Sequence, residues 1–68
     1  MSDNLLLQAA LSHYRAQRAE ALSVLTMYLN TKEGVPDHSD FLGEIKKWTA
    51  VLTEAEDNLA TLQRHFEK

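Results

Sequence analysis

Residues 41–66 read FLGEIKKWTAVLTEAEDNLATLQRHF. Within this stretch Phe41, Ile45, Trp48, Leu52, Ala55, Leu59, Leu62 and Phe66 recur at a 4-3-4-3-4-3-4 spacing, and every member of the series is apolar. Side chains three and four apart share one face of an α-helix, so the series forms a continuous stripe suited to knobs-into-holes packing. No strand, with its period of two, would place these residues together. The segment therefore predicts one long amphipathic helix.

Moving toward the N-terminus, the same period returns in Leu7, Leu11, Tyr14, Arg18, Ala21, Leu25 and Tyr28, interrupted by Arg18 alone. Leu22 and Leu29 widen this stripe on one flank, Ala10 and Val24 on the other, while Leu42 and Val51 widen the second helix near its start. Between the arms lies the sole cluster of breakers, Gly34-Val35-Pro36-Asp37. Gly34 suits the left-handed residue that ends a helix, with Lys32 favourably placed in the last turn. Pro36 disfavours helical geometry at Val35. Asp37 suits an N-cap and Asp40 an acidic capping box, with Ser39 as the competing cap. The expected chain is a single helical-hairpin domain over residues 1–68, with a helix at about 4–33, a turn at about 34–37 and a helix at about 38–67.

Composition narrows the choice of class. Sixty-eight residues suffice for one small domain. Without cysteine the chain has no disulfide, no thiolate metal site and no thiol nucleophile. Two glycines and one proline are too few for the many turns of an all-β chain, whereas eleven leucines and eight alanines favour helix. A formal charge of −3 supplies no long-range attraction to nucleic acid or to anionic lipid. No apolar run approaches the roughly 20 residues that span a bilayer. Leu5-Leu6-Leu7 follows Asp3 rather than a basic stretch, unlike a secretory signal. A cytoplasmic protein without membrane contact is the expectation.

Two helices alone leave their stripes open above and below, at a cost of about 25 cal/mol per Å² of apolar surface. The stripe is widest near the turn, and a second hairpin would cover it. The fold class expected is thus all-α: an antiparallel αα-hairpin that pairs into a dimeric four-helix bundle. Its helix–helix and dimer core would comprise Leu7, Leu11, Tyr14, Ala21, Leu22, Leu25, Tyr28 and Leu29 from the first helix. Phe41, Ile45, Trp48, Leu52, Ala55, Leu59, Leu62 and Phe66 would complete it. The competing arrangement keeps the broad face for a different protein. Arg18 marks a polar seam position. It either snorkels to water, with Glu54 or Glu56 as an interhelical partner, or fixes register as buried polar residues do in coiled coils.

Candidate chemistry is sparse. Metal sites on helices want ligands three or four apart, and neither His13 nor His65 has one on its own helix. A site shared between them at the open end is the remaining option. Glu33, Asp37, His38, Asp40 and Glu44 gather around the turn without the ordered spacing of a calcium loop. Glu54, Glu56 and Asp57 would need a concave pocket to work as acids or bases, which a hairpin does not offer. No glycine-rich phosphate loop, nucleophile motif or Glu-x-x-His pair is present. The chain is therefore expected to be a non-enzymatic protein–protein interaction module: a small adaptor, regulator, inhibitor or assembly factor without catalytic, cofactor or metal residues. Its expected partners are a second copy of itself and a further protein. One alternative is a nucleic-acid-binding regulator using Arg15, Lys46 and Lys47, which the charge balance opposes. A further alternative is a metal-binding bundle using His13 and His65.

Overall fold

A computed structural model describes residues 4–30 and 38–67. They form two α-helices, α1 over Leu5–Leu29 and α2 over His38–Phe66, packed against each other. Asn4, extended at φ −83° and ψ 97°, starts α1: its Oδ1 accepts the Leu7 N–H at 2.9 Å. Helix starts carry four backbone N–H groups without partners, and an asparagine side chain satisfies one of them. α1 has no acidic residue in its first turn and no basic residue in its last. It therefore depends on this cap more than α2, which has Asp40 in its first turn and Arg64 and His65 in its last to complement the helix dipole. Asn4→Ala is expected to cost about 1 kcal/mol, read from the shift in a urea midpoint; no shift would mean that the cap is dispensable.

α1 closes at Leu29, with Asn30 as C-cap and its N–H bonded to the Thr26 carbonyl. The sequence predicts helix to residue 33. Residues 31–37, and with them the expected roles of Lys32, Glu33, Gly34, Pro36 and Asp37, lie outside the described residues, as do the side chains of His38 and Ser39.

The helices run antiparallel, as two contacts at opposite ends require. Near one end the Tyr28 and Phe41 rings meet edge to face, 4.9 Å between centroids at 76°. Near the other, Leu7, Leu11 and Leu59 form the buried cluster, with Tyr14 and Leu62 packed against it. These contacts set the register: Tyr28 stands level with Phe41 and Leu11 with Leu59. The other buried residues are Ala21, Leu25 and Ala55. Two of them are alanines, and on this register Ala21 stands level with half-buried Trp48. A methyl group there leaves room for the indole.

Along the seam Tyr14, Tyr28, Phe41, Ile45, Trp48, Leu52 and Leu62 are half-buried. Leu22, Leu29 and Phe66, assigned from the sequence to the helix–helix and dimer core, are exposed in the single chain and are not covered by the partner helix. At the polar seam position the side chain is open to water, as in the snorkelling alternative. Arg18 is exposed and pairs with neither Glu54 nor Glu56 among the described residues. Gln17 is turned inward instead: it is half-buried, and its Oε1 is buried without a hydrogen-bond partner among the described residues. At 100° per residue, positions 17 and 18 straddle the line joining Tyr14 to Ala21 about equally. A guanidinium costs more to desolvate than a neutral amide, so α1 settles with the amide inside.

The result is a rod of 51 × 15 × 14 Å with a radius of gyration of 15.6 Å. A compact domain of this length would have a radius near 11 Å.

Candidate functional site

The feature with functional content is one long side of this rod. In two antiparallel helices, the residues that flank the seam on one edge, one after every second seam position, turn toward the same side of the pair. Arg18 joins them because Gln17 takes the inward place. On α1 those residues are Arg15, Arg18, Leu22 and Leu29, all exposed. On α2 they are Leu42, Thr49, Glu56 and Gln63, also exposed. Buried seam leucines and half-buried residues lie between them, so each helix shows a second 4-3 stripe beside the first. On α1 it runs Leu11, Arg15, Arg18, Leu22, Leu25, Leu29, and on α2 Leu42, Ile45, Thr49, Leu52, Glu56, Leu59.

This side is apolar at the end near the 31–37 connection, where Leu29 is 65% and Leu42 57% exposed. It is charged at mid-rod, where Arg15, Arg18 and Glu56 have no ion-pair partner among the described residues. The opposite side carries His13, Glu20, Lys47, Glu54, Asn58 and His65, with Leu6 and Met27 as its exposed large apolar side chains. The opposite side also bears half-buried Ala10, Val24 and Val51. Among the described residues the two sides thus differ in their exposed large apolar side chains: three, Leu22, Leu29 and Leu42, on one and two, Leu6 and Met27, on the other.

At the open end, Asn4, Leu6, Leu7, Ala10, Leu62 and Phe66 line a shallow groove of about 280 Å³. Leu5 and Leu6, which the sequence places off the main seam, are among the most exposed large apolar residues. The groove offers Asn4 as its one polar side chain and gathers no acid–base pair.

The residues singled out for other chemistry do not converge. His13 and His65 are both exposed, each with its ring against the adjacent aromatic, Tyr14 and Phe66. On the observed register they stand about eight residues, or roughly 12 Å, apart along the rod. That exceeds what one metal ion bridges, since zinc–nitrogen bonds are about 2 Å. No group of three or more metal-ligating side chains assembles among the described residues. Lys47 places its ammonium 5.3 Å from the centroid of the Trp48 ring. Arg15 lies on the other helix, roughly 12 Å further along the rod from Lys46 and Lys47, so the three do not form one basic stripe. Glu54, Glu56 and Asp57 are exposed along α2. No described helix is long and apolar enough to cross a membrane.

Sequence reasoning missed Asn4 and Gln17. Asn4 had a readable signal, a cap-forming residue directly before an apolar run. Gln17 had none, because spacing alone does not choose between two neighbours that straddle the seam. The architecture places the chain among two-helix hairpins. Comparison with protein-family models, curated proteins and solved structures finds no match.

Proposed function

We propose that this chain is a non-enzymatic interaction module that works as a homodimeric helical bundle, with the side bearing Leu22, Leu29 and Leu42 as its association face. The observation that carries the reading is surplus surface. The chain exposes 5232 Å², whereas a folded chain of 7.7 kDa typically exposes about 4,300 Å². The difference, roughly 900 Å², is close to the ~800 Å² that each partner buries in a standard interface. Among the described residues Leu11 is the one large side chain that is fully buried, so a single hairpin gains little from its own core.

Light scattering after gel filtration at micromolar concentration is the test, with a mass about twice 7.7 kDa expected. Leu22→Glu combined with Leu29→Glu should weaken association at least about a hundredfold, since four leucines leave the interface of a symmetric pair. Leu6→Glu with Met27→Glu, on the opposite side, should leave the mass unchanged. A folded monomer at all concentrations overturns the proposal.

A further inference from the structure

We infer that the second copy docks with its 31–37 connection at the same end of the bundle, so that α1 of each chain lies on α2 of the other and Arg15 meets Glu56 of the second copy. This rests on the self-association proposed above and specifies its geometry. Two hairpins joined face to face by a two-fold axis have two arrangements. An axis along the rod puts the connections together and lays α1 on α2 of the other chain. An axis across the rod puts them at opposite ends and lays α1 on α1.

Spacing permits the first and charge selects it. Level positions within the hairpin remain level across an axis that runs along the rod. Starting from Leu11 beside Leu59, the α1 stripe advances by four and then three residues, while the α2 stripe recedes by three and then four. The two are never more than one residue, about 1.5 Å, out of step. Four of the six rungs also match in kind: Leu11 stands level with Leu59, Leu25 with Ile45 and Leu29 with Leu42, while Arg15 stands level with Glu56; Arg18 and Leu22 stand level with Leu52 and Thr49. Arg15 and Glu56 have no partner among the described residues, and the two-fold axis makes their pairing occur twice.

The crossed arrangement either brings like charges together or leaves each charge without a counter-ion. With its axis near residue 20, it sets Arg15 and Arg18 on Leu25 and Leu22 of the second copy and Glu56 on Ile45, all unpaired. With the axis near the middle of α1, Arg15 and Arg18 face Arg18 and Arg15 of the second copy, four guanidiniums within about two turns. The sole acidic residue of α1, Glu20, belongs to the opposite side and does not relieve them. Like charges opposed across an interface are strongly disfavoured, while opposite charges fix register.

The chain has no cysteine, so a single Asn30→Cys carries one spin label at the connection end of α1, away from both stripes. In the inferred dimer the two labels lie across one bundle, within about 25 Å of each other by pulsed EPR. In the crossed dimer they lie about 30–40 Å apart along the rod, according to where the axis crosses α1. A second arm reverses charge: Arg15→Glu or Glu56→Arg alone should raise the dimer dissociation constant about tenfold or more, and the double exchange should recover most of it. A dimer with the long distance overturns the orientation and leaves self-association standing. A short distance with no response to charge reversal overturns the Arg15–Glu56 pairing. A monomer by light scattering overturns both proposals.

Discussion

Replacing Leu11 with alanine is expected to destabilise the chain by about 2–5 kcal/mol. Leu11 is fully buried, in the cluster it forms with Leu7 and Leu59. A domain of 68 residues has in total only about 3–10 kcal/mol of stability. The substitution therefore removes a large part of what holds the hairpin together. The lost transfer free energy is joined by the cost of the space left between two stiff helices, which relax only partly into it. Urea unfolding followed by circular dichroism at fixed protein concentration measures the loss, fixed because association contributes to the apparent stability. Leu5→Ala is the matched control, since Leu5 is 83% exposed. A loss at Leu11 no larger than at Leu5 would show that the described cluster does not hold the fold.

Gln17→Met is the expected stabilising change, by about 1–3 kcal/mol. The amide oxygen of Gln17 is buried with no partner among the described residues, and a buried acceptor that has given up its water and gained no donor carries the full cost of desolvation. Methionine keeps the unbranched shape and removes the polar atoms. A gain of this size raises the melting temperature of so small a domain by about 4–8 °C for each kcal/mol. Glu20→Met, on the side away from the proposed association face, leaves hairpin packing unchanged because Glu20 is exposed. If the two variants behave alike, or if Gln17→Met lowers the melting temperature, the inward placement of Gln17 is wrong. A stabilised Gln17→Met protein with an altered spin-label distance would identify the buried amide as a device that selects bundle geometry at a cost in stability.

The fold was legible because its signal is redundant. Eight apolar residues at unbroken helical spacing leave one reading for residues 41–66, and the first arm repeats the period with one exception. The rotation of α1 about its own axis was less legible. Spacing locates a contact line only to within about half the angle between neighbours, some 50°. At positions 17 and 18 that margin spans a neutral amide and a cation, and the cost of burying charge decided between them. The uncovered side was visible in outline, since Leu22, Leu29 and Leu42 flank the stripes. Which flank of α1 joins which flank of α2 required the antiparallel packing itself.

The sequence by itself determined two helices, the break between them and the apolar stripe on each, because helical periodicity is a local property of the chain. Tertiary structure decided that Gln17 rather than Arg18 faces inward, and that Tyr28 stands level with Phe41 and Leu11 with Leu59. It also decided that Arg15, Arg18 and Glu56 share one side with the exposed leucines. Those outcomes depend on where one helix sits against another, and that is fixed by side chains far apart in sequence competing for the same buried space.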